Sequence, residues 1–92
     1  MQQRRIVIRN RLGLHARAAA KLVRLANSYN SSVSLARVDS GQKIADAKSI
    51  LGVLMLAAAQ NSEVDVMTEG DDEMAAMEAL CNLIENKFDE AE

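Results

Sequence analysis

The chain has 92 residues, 49% hydrophobic and 26% charged, a length and mixture that suit one soluble domain closing one core. Its formal net charge of −2 hides an asymmetry: residues 1–49 carry ten basic side chains against Asp39 and Asp46, a net +8, whereas residues 50–92 carry only Lys87 against eleven acids, a net −10. No apolar run approaches the ~20 residues of a membrane-spanning helix, no basic-then-apolar leader opens the chain, and a lone cysteine and a lone histidine argue against a disulfide framework, a cysteine-based zinc site, a histidine-rich metal site and a triad-type hydrolase.

From the N-terminus, Arg4 to Asn10 alternates, with Ile6 and Ile8 on one face, and predicts a half-buried strand. Gly13 breaks that pattern. From Ala16 the spacing of Ala19, Leu22, Val23 and Ala26 predicts a helix that stops among the turn formers Asn27 to Asn30. Ser32 to Val38 alternates again, Asp39-Ser40-Gly41 signals a turn, and Gln42 to Ala45 reads as a short return strand.

Asp46 and Ser49 are both capable helix caps, and Ile50 to Ala58 follows as a run of helix formers. A surface helix buries an arc of somewhat over ~100°. Ile50, Leu51, Val53, Leu54, Met55 and Leu56 therefore cannot all face one core, and some must be exposed. Asn61-Ser62 ends the run, and Val64 and Val66 mark a fourth strand. Asp71 to Glu73 bias a helix N-terminus, after which Met74, Met77, Leu80, Cys81, Ile84 and Phe88 form an apolar stripe about four turns long. Cys81 and the five methionines read as packing, and the tail Asp89 to Glu92 as a frayed acidic end. The order β-α-β-β-α-β-α predicts a single α+β domain, residues 1–92, with helices on one face of a mostly antiparallel sheet.

The chemistry concentrates at Gly13-Leu14-His15-Ala16-Arg17. Gly13 allows a sharp turn, which places His15 at or beside a helix N-cap. The free backbone N–H groups of Ala16, Arg17 and Ala18 and the helix dipole then form an anion site. Arg17 adds a planar guanidinium suited to two phosphoryl oxygens. Nearby positive charge favours a neutral, nucleophilic ring, and the same groups would receive a phosphoryl dianion. On the local pattern alone, a surface histidine that only caps a helix is the commoner explanation. The basic half also allows nucleic-acid binding, although Tyr29 and Phe88 are the only aromatics available for stacking.

Together, G-L-H-A-R and Lys48-Ser49-Ile50-Leu51-Gly52 resemble the HPr family of phosphocarrier proteins of the phosphoenolpyruvate-dependent phosphotransferase system, over nearly the whole chain. The flanking I-R-N-R-L-G and the ending F-D-E are similar to its nitrogen-related branch, often called NPr. The resemblance implies an open-faced β-sandwich of four antiparallel strands with three helices on one side. It implies a carrier, phosphorylated stoichiometrically rather than turning over as an enzyme. His15 would accept a phosphoryl group at Nδ1 from enzyme I or its nitrogen paralogue and pass it to a histidine of an EIIA-type acceptor, with Arg17 stabilising the phosphoryl group.

The same resemblance makes Ser49 a regulatory phosphosite for an HPr serine kinase/phosphorylase, although the residue on its own reads as a plain cap. It places Ala20, Arg24, Leu51 and Leu54 in a docking patch. No cofactor, metal, nucleic acid or membrane insertion is implied, and the expected protein is a cytoplasmic monomer. The alternative function is a regulatory binding module of the same fold, acting by phosphorylation-dependent docking. One departure stands out: Ala18 occupies a position where the family usually has proline, which predicts a slightly looser helix start with one more N–H donor.

Overall fold

A computed structural model describes residues 1–40 and 43–91. Four strands, β1 (Gln2–Val7), β2 (Ser32–Arg37), β3 (Ile44–Asp46) and β4 (Glu63–Glu69), form one antiparallel sheet in the order β1-β4-β2-β3. Three helices, α1 (Ala16–Asn27), α2 (Ile50–Met55) and α3 (Glu73–Glu85), complete the expected β-α-β-β-α-β-α order. The predicted α+β open-faced sandwich is thus the observed fold.

Alternation sets which face of the sheet is buried. Ile6 pairs with Val64, and Leu35 pairs with Val66 on one side and Ala45 on the other; all five are buried. Arg5 and Asp65, opposite one another, point the other way and form a two-point ion pair at 2.9 and 3.3 Å. Ala19, Leu22 and Ala26 of α1, Val53 of α2 and Met77, Leu80, Cys81 and Ile84 of α3 close the core. Cys81 is the core thiol that its place in the stripe predicts, and burial pushes its pKa up.

The sequence halves do not separate in space as their charges do along the chain. Acidic β4 lies between β1 and β2, both from the basic half, because the hydrophobic pattern decides strand pairing.

Several local expectations also change. The first strand ends at Val7 rather than Asn10. Ile8 is buried, but its N–H and C=O bond to Ser62 and Asn61 in the turn before β4. The second helix stops at Met55 rather than Ala58. The Arg37 guanidinium takes the Leu56 and Ala57 carbonyls, at 3.1 and 3.4 Å, and Ala57 turns left-handed with φ 51°. Val38–Ser40 forms a 3-10 turn where Asp39-Ser40-Gly41 signals a reversal, and Gly41 and Gln42 lie outside the described residues.

The last stripe ends at Glu85, with Met74 63% exposed. Phe88, fully buried, is the middle of three consecutive left-handed residues, Lys87, Phe88 and Asp89, at φ 58°, 55° and 63°. Through Glu90 the tail is therefore anchored rather than frayed, and Glu92 lies outside the described residues.

Asp71 to Glu73 do mark the start of α3, with Asp72 at the N-cap. The Asp72 carboxylate does not cap its own helix. It accepts from the N–H groups of Asn30 and Ser31, each at 2.9 Å, and from the Ser31 hydroxyl, tying the α1–β2 turn to α3.

Candidate functional site

His15 is the N-cap of α1, with extended backbone (φ −74°, ψ 177°), as the sequence predicts. Two features bring it there. Gly13 is left-handed at φ +64°, and a Cβ on it would collide with the Ala58 carbonyl oxygen and sit 2.8 Å from the Ala59 Cα. Leu14 then donates its N–H to that same Ala58 carbonyl at 2.9 Å and buries its side chain. Ala16 follows as the first helical residue, and the Ala19 N–H closes the first turn on the His15 carbonyl at 2.8 Å.

The two ring nitrogens have different partners. Nδ1 accepts the Arg17 backbone N–H at 3.3 Å, while Nε2 lies 2.5 Å from Oε2 of Glu90. These contacts assign the proton to Nε2, which donates to the carboxylate, and leave the lone pair on Nδ1. Glu90 is itself held: Oε1 accepts from Nδ2 of the buried Asn10 at 2.9 Å, and the same amide group donates to the Gly13 carbonyl at 2.8 Å. Burial pushes the Glu90 carboxyl up. Hydrogen bonds from Asn10 and His15 and the nearby charges outweigh that effect and leave it below the usual glutamate value, ionised at neutral pH.

The ring lines an open concavity of about 540 Å³ with Arg11, Leu12, Ala16, Arg17, Glu90 and Ala91. Arg17 thus shares the cavity with His15, as expected. Of the three N–H groups expected to meet an anion, that of Arg17 is engaged by the histidine's own Nδ1. Ala18, the residue that replaces proline, has its side chain fully buried. Sequence reading missed Leu12, which is 62% exposed beside the histidine. It also missed Glu90, because a contact between residues 75 apart leaves no local pattern.

Ser49 is the N-cap of α2, its hydroxyl accepting the Gly52 N–H at 3.2 Å. Asp46, the other possible cap, instead accepts the Lys48 N–H at 2.9 Å. Of the expected docking residues, Arg24 is exposed, Ala20 half-buried and Leu51 65% exposed, but Leu54 packs partly against the core. Ile50 and Met55 are exposed beside Leu51, so α2 does present apolar surface.

Comparison with known proteins matches this arrangement to a family. Residues 2–86 match the family model described as the PTS HPr component phosphorylation site. The chain belongs to the HPr family of phosphocarrier proteins. It is 52% identical over 92 residues to the phosphocarrier protein HPr of Cupriavidus necator, covering all of both chains. It is 42% identical over 89 residues to the phosphocarrier protein NPr of Shewanella violacea, covering 97% of this chain and 94% of that one.

The crystal structure of HPr from Thermoanaerobacter tengcongensis superposes with a TM-score of 0.93 at 40% identity, with complete coverage of both chains. An HPr-type chain is a phosphocarrier component of the phosphotransferase system, whose partners in general include enzyme I and EIIA proteins. Among the described residues, no helix is long and apolar enough to cross a membrane, and no group of three or more His, Cys, Asp or Glu stands together to hold a metal.

Proposed function

We propose that His15 is the phosphoryl acceptor and donor of this carrier. Phosphorylated enzyme I, or its nitrogen paralogue, delivers the group in the cytoplasm, and the histidine of an EIIA-type protein receives it, in sugar transport or in nitrogen-related regulation. The observation that carries the reading is the Nδ1 lone pair at the N-cap of α1, beside Arg17 in an open concavity. Nδ1 attacks phosphorus as the bond from phosphorus to the donor nitrogen breaks, and the electron pair of that bond returns to the donor.

The Arg17 N–H, which faces Nδ1 before transfer, is placed to move to a phosphoryl oxygen afterwards, joined by the N–H groups of Ala16 and Ala18. The Arg17 guanidinium offers two parallel donors to the same group. No turnover is required of the protein, which gives up the group it took.

Incubation with enzyme I and phosphoenolpyruvate tests the reading. An acid-labile, base-stable adduct should form on wild type, and His15→Ala labelled as heavily as wild type would remove His15 from the mechanism.

Exposed Leu51, Met55 and Ile50, with Arg24 and Ala20 on α1, support docking of acidic partners around an apolar centre. The same surface supports a second reading, phosphorylation-dependent docking of a regulatory target. A pull-down comparing phosphorylated and unphosphorylated protein separates the two, since equal partner sets leave a carrier without a signalling role. Ser49 acts here as a cap. Its modification by an HPr serine kinase/phosphorylase would add a dianion to this docking face. A Ser49→Ala variant that cognate kinase and ATP label as heavily as wild type would end that proposal.

A further inference from the structure

We propose that Glu90 is a positioning residue for His15: its carboxylate keeps the ring proton on Nε2, leaves Nδ1 unprotonated, and faces the positive charge that the ring acquires as Nδ1 bonds to phosphorus. This inference rests on the reading of His15 as phosphoryl acceptor.

Three observations support it. The first is the contact itself. Oε2 of Glu90 meets Nε2, with the two side chains only 15% and 25% exposed, so water competes weakly for either. The second is that the carboxylate cannot drift. Its other oxygen is held by Asn10, which is fully buried and also grips the Gly13 carbonyl in the loop that carries the histidine. Asn10 spends its amide protons on these two bonds, while its Oδ1 is buried with no partner among the described residues.

The third is the backbone that delivers Glu90. Lys87, Phe88 and Asp89 are all left-handed, a conformation that is unfavourable for a non-glycine residue. Such strain persists where the surroundings over-determine it. Here the Phe88 ring is fully buried, and Nζ of Lys21 in α1 donates to the Phe88 carbonyl at 2.7 Å. A right-handed continuation of α3 would avoid the left-handed conformation. The chain instead reverses, and the reversal brings Glu90 to the ring.

The chemistry follows from the tautomer. A neutral imidazole has one nitrogen with a lone pair available and one with a proton. When Nδ1 forms the bond to phosphorus, the proton stays on Nε2 and the ring becomes an imidazolium. On transfer to the acceptor the Nδ1–phosphorus bond breaks, its pair returns to Nδ1, and the ring leaves as the neutral Nε2–H imidazole. Glu90 is the anion facing a ring whose other charged cavity neighbours, Arg11 and Arg17, are cationic. A carboxylate behind a histidine sets its tautomer and stabilises its charged form, and at metal-binding histidines loss of such a partner typically costs 10–100-fold.

Glu90→Gln is the informative variant. The amide offers one acceptor oxygen where two donors, Asn10 and the His15 Nε2–H, now meet two carboxylate oxygens, so one donor must face an NH2 group. Long-range ¹H–¹⁵N spectra of the ring should show the Nε2–H tautomer in wild type and a population with the proton on Nδ1 in Glu90→Gln. Single-turnover phosphorylation by phosphorylated enzyme I should fall roughly tenfold. If Glu90→Gln loses its fold, Glu90→Asp is read instead, with a shorter reach and a smaller loss in the same two measurements.

A folded Glu90→Gln protein with the wild-type tautomer, phosphorylated within about twofold of the wild-type rate, overturns the assignment. A wild type that takes no label on His15 overturns the acceptor reading instead, and the ring spectra then judge Glu90 independently.

Discussion

The Leu14 N–H and the Ala58 carbonyl are joined at 2.9 Å, which ties the loop before His15 to the chain leaving α2. This bond requires Gly13 to pass against Ala58 and Ala59 with no side chain and with φ +64°. Gly13→Ala should therefore destabilise the domain by about 2 kcal/mol or more, since the left-handed strain alone is about 1–2 kcal/mol and the collision is with backbone. Urea unfolding followed by circular dichroism measures it. A loss below about 0.5 kcal/mol, the range of an ordinary surface change, would show that the loop is not pinned this way.

Phe88 anchors the reversed tail and is fully buried although it lies beyond α3. Phe88→Ala should cost about 3–5 kcal/mol, the range for a core aromatic, with a matching fall in the urea midpoint. If the tail were frayed, the same substitution would leave the midpoint near wild type.

Asp72 gives a pH signature. Hydrogen bonds from the Ser31 hydroxyl and the Asn30 and Ser31 N–H groups hold its carboxyl below the aspartate value of 3.8, against a smaller opposing effect of burial. A depressed folded-state pKa contributes stability that is present above the unfolded value and is lost as pH falls through the folded one. Asp72→Ala should thus be less stable than wild type at pH 7, and the gap should close below about pH 3.8, once the wild-type carboxylate is protonated. Thermal melts of both proteins across pH 2–7 test this, and a gap independent of pH would contradict it.

Where alternation or a 3.6-residue stripe marks a buried face, as at Ile6, at Ala19 with Leu22, and at Val64 with Val66, strand and helix were legible in the sequence. His15 and Arg17 were legible for a related reason, since glycine, cap and helix start are neighbours in sequence. What escaped reading depends on distant partners. The end of α2 is one case: Arg37, 19 residues away, takes the Leu56 and Ala57 carbonyls just beyond the helix. The last stripe kept its helical spacing through Phe88, which sits four residues after Ile84, so nothing in its periodicity announced the left-handed turn. Glu90 lay in what reads as an acidic tail, and only the fold sets it against His15.

Leu51 separates docking from folding. It is 65% exposed and contributes little to the core, so Leu51→Ala should leave stability within about 0.5 kcal/mol of wild type. Association with enzyme I should weaken roughly tenfold if Leu51 sits at the centre of the contact. Calorimetry at matched salt measures this, and an unchanged affinity would move the docking centre away from α2.

The most direct test of the central claim is where phosphorus sits on the ring. Protein with ¹⁵N-labelled histidine, phosphorylated by enzyme I and phosphoenolpyruvate, should show ³¹P–¹⁵N coupling to Nδ1 of His15, with the proton still on Nε2. Coupling to Nε2, or phosphorus on any other residue, would contradict the account.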